Sequence, residues 1–188
     1  MQTLILNGCS LSDEFAQSAL SLVTASLGEG GDPPQVINLE GLRIADCNGC
    51  FGCWTRTPGE CVIHDDAPAV TAKLAFADRI VFFCPVVFGG FDPVLKRVIE
   101  RSISLLLPYM RVYHGELHHP PRYNREYELC GIGILGRPDP EGAACFRERL
   151  RRLSLNYNGR RFSAGTLVRG ETVDADRIRA IIDVREEL

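Results

Sequence analysis

The sequence predicts an α/β protein: a doubly wound, five-stranded parallel sheet in the order 2-1-3-4-5, with helices on both faces. Two observations predict it. Five short apolar runs alternate with segments of helical period. The runs are near-continuous rather than alternating, as strands buried on both faces are. At 188 residues the chain has the length of a single domain, residues 1–188. An apolar content of 45% with 24% charged residues suffices for a core without staples.

The elements follow in order. Thr3–Asn7 is the first strand, closed by Asn7-Gly8. Ser10 to Asp13 supply caps and acids for a helix carrying Phe15, Ala19, Leu20, Val23 and Leu27, and Gly28 to Gly31 stop it. Gln35–Leu39 is the second strand. A glycine- and cysteine-rich stretch from Glu40 to Cys61 precedes a helix opened by Asp65, Asp66 and Pro68, with Val70, Leu74 and Ala77 inward. Arg79–Val87 is the third and most apolar strand. Gly89-Gly90 ends it, and Asp92-Pro93 start a helix with Val94, Leu95, Val98, Ile99 and Ile103 as its inner stripe. Residues 108–126 form a long polar connection. Tyr127–Leu135 is the fourth strand, Pro140–Leu155 a helix, Arg161–Val168 the fifth strand and Asp174–Leu188 the closing helix. In this topology a ligand crevice lies beyond the strand C-termini. There the loops Gly8–Asp13, Pro85–Phe91 and Gly136–Gly142 come to one edge.

Composition excludes several functions. A net charge of −3 argues against a basic nucleic-acid surface. No apolar run reaches the ~18 residues of a membrane span, and Met1–Gly8 lacks the basic start of a signal peptide. The chain therefore reads as cytoplasmic, and its eight cysteines as thiols or metal ligands.

Cys47, Cys50, Cys53 and Cys61 form a C-x2-C-x2-C-x7-C run. Two consecutive x2 spacings suit an iron–sulfur cluster. Gly49 and Gly52 let the backbone wrap closely, and Thr57-Pro58-Gly59 can return Cys61 as fourth ligand. Free thiols and a four-thiolate zinc site are the alternatives. Cys84 and Cys130 read as core fillers and Cys145 as structural. Cys9, in a strand–helix loop, is a small loop thiol with some chance of a redox role.

Three segments resemble the flavodoxin-like NAD(P)H-dependent FMN reductases, and within them the iron–sulfur flavoproteins. They are Leu4–Gly8 opening into Cys9-Ser10; Cys47–Cys53 continued by Gly59–Asp66; and Cys84–Gly90 followed by Leu95-Lys96 and Ile99–Arg101. The resemblance implies a flavodoxin-like fold, bound FMN, electron transfer from NAD(P)H or a reduced electron-carrier protein, and association into a homo-oligomer. Within the iron–sulfur group it implies a 4Fe–4S cluster on Cys47, Cys50, Cys53 and Cys61.

Each cofactor contact has its own physical reading. A phosphate wants free N–H groups at a helix start. Cys9, Ser10 and Ser12 lie in such a loop, the two serines adding hydroxyl donors. Asp13 and Glu14 stand in the same loop, where relatives carry a basic residue, and would repel a phosphate unless they serve the helix dipole instead. Pro85, Val86, Val87, Phe88, Gly89 and Gly90 leave the central strand, where backbone groups can meet the polar edge of a flavin and Phe88 its ring; the other reading of Phe88 is core. Gly136 and Arg137 flank the other side, Arg137 able to balance charge on a reduced flavin. No side chain stands out as an essential general base.

The connection gathers Tyr113, His114, His118, His119, Arg122 and Tyr123. These read foremost as a packed surface between subunits, then as a solvated loop or substrate contact. Two rival functions stay open. One is a cluster-free NAD(P)H-dependent FMN or quinone reductase. The other is a non-enzymatic thiol- or metal-responsive binding protein that lost flavin through Asp13 and Glu14.

Overall fold

A computed structural model describes residues 1–184 and 186–188. In chain order the elements are β1 (Thr3–Asn7), α1 (Glu14–Gly28), β2 (Gln35–Asn38), the single turn α2 (Gly52–Thr55), α3 (Ala67–Phe76), β3 (Arg79–Val87), β4 (Gly90–Phe91) and α4 (Pro93–Arg101). After a 3₁₀ turn (Ser102–Leu105) come β5 (Arg111–Tyr113), β6 (Glu116–His118), β7 (Tyr127–Leu135), α5 (Pro140–Asn156), β8 (Gly159–Val168), α6 (Ala175–Ile182) and β9 (Glu186–Glu187).

The five long strands run parallel in the order β2-β1-β3-β7-β8, the predicted 2-1-3-4-5 order. The full sheet differs by two short antiparallel strands: β4 folds back on the end of β3, and β9 pairs with the start of β8. Alternation within the buried strands sends side chains to opposite faces. Leu4, Leu6, Ile80 and Phe82 pack with Leu74, Leu95, Val98, Phe146 and Leu150 under α3, α4 and α5. Ile5, Val81, Phe83 and Ile132 pack with Ala16, Leu20, Val23, Ile178 and Ile181 under α1 and α6. Gly131 and Gly133 let α5 lie close to β7, since a Cβ at Gly131 would meet Leu150 at 2.9 Å and one at Gly133 would meet Phe146 at 3.2 Å.

Four helices begin at an aspartate whose carboxylate accepts a first-turn N–H: Asp13, Asp92, Asp139 and Asp174. Two expectations change. The closing helix ends at Ile182 rather than Leu188: Glu186 and Glu187 turn back onto β8, where they form ion pairs with Arg147 and Arg161. The part of that expectation falling on Arg185 lies outside the described residues. The 108–126 connection is not without structure, for it holds the β5–β6 hairpin, and Leu106 bridges Pro121.

Candidate functional site

The strand C-termini bring the three predicted loops to one edge. Gly8 N–H donates to Phe83 O at 2.8 Å, and Asn7 binds Asn38 through its amide. A Cβ at Gly8 would lie 2.5 Å from the Asp92 carboxylate, so glycine here permits the first loop to touch the start of α4. The second loop meets the first turns of α5: a Cβ at Gly89 would lie 2.7 Å from Cys145 Cβ and 3.5 Å from Gly142 O. Gly136 and Arg137 are exposed beside it.

Phe88 is not core. It takes a left-handed φ of 48° at the tip between β3 and β4 and is 99% exposed. Val87 is exposed beside it, Pro85 and Val86 half-buried, and Gly89 and Gly90 buried. The ring is thus held in solvent on a strained backbone at the C-terminal end of the central strand.

The first loop is an anion cradle with a carboxylate already in it. Glu40 accepts from the Leu11 N–H at 2.5 Å and from the Ser10 hydroxyl at 2.8 Å. Those two donors hold the Glu40 carboxyl below its ordinary range. Ser12 Oγ lies 2.9 Å from Ser10 Oγ. Asp13 is turned to other work: it caps α1 through Ala16 N–H and pairs with both terminal nitrogens of Arg169, one at 2.7 Å. Glu14 is exposed. Sequence reasoning missed Glu40 and Arg169 because they come from the ends of β2 and β8, distant in sequence from the loop. Cys9 is buried, and burial, then Asp13 and Asp92, push its thiol up to about 12. Burial and the raised pKa argue against a reactive thiolate there, and the Cys9 N–H is held by the Asn7 side-chain oxygen at 3.0 Å.

The cysteines form a second centre. Cys47, Cys50, Cys53 and Cys61 all line one concavity, with Phe51, Ile63, Arg101 and Ile103. Burial, then the neighbouring Cys61, Cys47 and Cys50, push the Cys53 thiol up. The thiols do not close on one ion: among the described residues no group of three or more His, Cys, Asp or Glu is arranged to hold one.

The segment is pinned from several sides. Trp54 Nε1–H donates to Leu106 O at 3.0 Å, and Phe51 stacks on Trp54 at 5.0 Å. Arg101 and Asp65 form a buried two-pronged pair at 2.7 and 2.9 Å. Arg101 also binds Ala45 O and Ile63 O, two residues outside Cys47 and Cys61 respectively, and so clasps both ends of the cysteine segment. The signal for Arg101 was present as an arginine at i+3 from Val98 on the inward stripe of α4. Helix α4 thus joins the centres, its cap Asp92 against Gly8 and its last residue in the cysteine pocket. Its nine residues span about 13 Å.

The remaining thiols and histidines sort plainly. Cys84 and Cys130 are buried as expected, whereas Cys145 is exposed rather than structural. His118 is buried between Asn156 at 3.0 Å and Glu116 at 3.2 Å. His119 packs on Trp54 and binds Tyr109 O at 2.8 Å, and His114 packs edge-on to Tyr113.

A doubly wound parallel sheet, with a loop after β1 that holds a carboxylate and an exposed aromatic after β3, defines a flavodoxin-like α/β protein. The chain belongs to the NADPH-dependent FMN reductase family, whose pattern it matches over residues 1–116. It is 30% identical over 102 residues to an iron–sulfur flavoprotein of Archaeoglobus fulgidus, covering 54% of this chain and 49% of that protein. It is 32% identical over 84 residues to one of Methanocaldococcus jannaschii, covering 45% and 42%. The chain spans about half the length of the curated relatives it matches. Among solved structures it resembles an NAD(P)H:quinone oxidoreductase from Methanothermobacter marburgensis. The TM-score is 0.65 at 17% identity, covering 96% of this chain and 89% of that one, a likeness of fold.

Proposed function

We propose that the protein is an FMN-dependent oxidoreductase that takes electrons from NAD(P)H or a reduced carrier protein, with a 4Fe–4S cluster on Cys47, Cys50, Cys53 and Cys61. The observation that carries the flavin reading is the cradle after β1, which already holds an anion through the Leu11 N–H and the Ser10 hydroxyl. A phosphate fits that donor set when Glu40 swings out, and the fully exposed side chain of Glu40 is free to do so. Arg169 brings near the loop a cation that the loop itself lacks, and by pairing with Asp13 removes the repulsion expected there.

Bound FMN supplies hydride acceptance and a cluster supplies single-electron exchange; the protein supplies binding and electrostatics. Ser10, Ser12 and the Leu11 N–H would hold the phosphate. The backbone of Pro85–Gly90 would face the polar edge of the ring, with Phe88 covering it and Arg137 placed to balance negative charge. For the cluster the support is that all four thiols line one concavity beside a buried arginine. The exposed apolar pair Val112 and Leu117 on the β5–β6 hairpin supports association of copies.

The test is an absorption spectrum of protein purified without oxygen, before and after NADPH or dithionite, with iron and acid-labile sulfide assayed. Flavin bands over a broad bleaching shoulder, with iron near four per chain, are expected. Flavin bands without iron would make it the cluster-free reductase. A colourless protein that cannot take up FMN would leave the thiol-responsive binding protein.

A further inference from the structure

The Arg101 side chain is 1% exposed. Its terminal nitrogens are fully used, by Asp65, Ala45 O and Ile63 O. Its Nε–H is buried and has no partner. A buried donor without an acceptor costs stability, so it calls for an explanation. Arg111 and Arg125 also have buried Nε atoms without partners, but only Arg101 lines the cysteine concavity.

The pocket offers few acceptors. Its side chains are four cysteines, Asn48, Phe51, Ile63 and Ile103, and Asn48 already accepts from the Cys50 N–H at 3.3 Å. Among these side chains what remains is sulfur. A neutral thiol is a weak acceptor, whereas a metal-bound thiolate is a charged and much better one. Asp65 balances the guanidinium charge, so the pocket presents one directed N–H dipole and no net positive charge. That suits a sulfur whose charge is already shared with metal.

Resting on the cluster reading above, we propose that Arg101 Nε–H donates to a metal-bound cysteine sulfur of the cluster, making Arg101 a positioning residue that raises the cluster's reduction potential. Hydrogen bonds to cluster sulfurs are one of the protein's levers on that potential. The same side chain clasps both ends of the ligand segment, so the donor is set by the contacts that set the ligands.

The experiment uses the whole holoprotein, prepared without oxygen and labelled with ¹⁵N at arginine Nε. Pulsed electron paramagnetic resonance on the reduced cluster should show a ¹⁵N coupling. A D65N/R101M variant, which removes both buried charges together, should lose that coupling and titrate at a more negative midpoint while keeping iron. A loaded wild-type cluster without ¹⁵N coupling, or an unchanged midpoint in the variant, overturns the role of Arg101 and leaves the cluster standing. Wild-type protein that takes up no iron overturns both. If the variant fails to fold, the labelled wild type alone decides.

Discussion

The Glu40 carboxylate holds the Leu11 backbone N–H at 2.5 Å and the Ser10 hydroxyl at 2.8 Å, the same donors proposed above for the phosphate. Its Leu11 and Ser10 contacts lower the Glu40 pKa, so the group stays ionised at neutral and mildly acidic pH and competes throughout that range. E40Q should bind FMN about tenfold more tightly, with riboflavin affinity little changed. Calorimetric titration with both ligands checks it; equal effects on the two would place Glu40 outside the phosphate subsite.

Phe88 separates binding from stability. It is fully solvent-exposed at φ 48°, so its ring adds little to the fold. F88G should raise stability by up to about 1 kcal/mol by relieving the left-handed backbone, while weakening FMN binding. Thermal unfolding of the flavin-free protein and a flavin titration give the two readings.

The buried pair of Asp65 and Arg101 should dominate the stability of the cysteine segment. D65A leaves an unpaired buried guanidinium and should cost about 3–5 kcal/mol. Burial raises the Asp65 pKa, but Arg101 and the Ala45 and Ala67 N–H groups outweigh it and hold it low. The pair's contribution is therefore complete above the ordinary carboxylate value of 3.8 and is lost as pH falls through the lower folded value. Denaturant titrations from pH 7 to pH 3 should show the wild-type advantage over D65A shrinking at the acid end.

Thiol reactivity should follow exposure and acidity. Cys9, with its pKa pushed up to about 12, should resist iodoacetamide at pH 8 in the folded state, while the exposed Cys145 reacts. Mass-spectrometric mapping checks this; rapid labelling of Cys9 would contradict the closed loop.

The fold was legible where burial is two-sided. The run Ile80–Cys84 could only be a central strand, and the bounds of β3 fall as expected. The Cys47–Cys61 grouping was also legible, since spacing alone gathers those residues. What stayed hidden depends on partners distant in sequence. Glu40 reaches the first loop from beyond β2, Arg169 reaches Asp13 from beyond β8, and Arg101 looks like a surface charge until Asp65 is placed beside it. Phe88 kept two readings, flavin contact or core, for another reason: a hydrophobic side chain at a strand end is ambiguous until its backbone and exposure are known, and core is the one excluded. The end of α6 was misread because Val184 to Leu188 carries no glycine or proline to mark a stop, and the β8 pairing that bends the chain back is tertiary.

That returning segment also bears on how the molecule keeps to itself. Without it the start of β8 would offer open backbone donors and acceptors, a template on which a foreign strand could add. Glu186 and Glu187 close that stretch with a two-residue strand whose carboxylates repel another acidic edge and satisfy Arg147 and Arg161 instead. The stretch Arg161–Phe162 at the start of β8 is thus closed to strand addition by another chain.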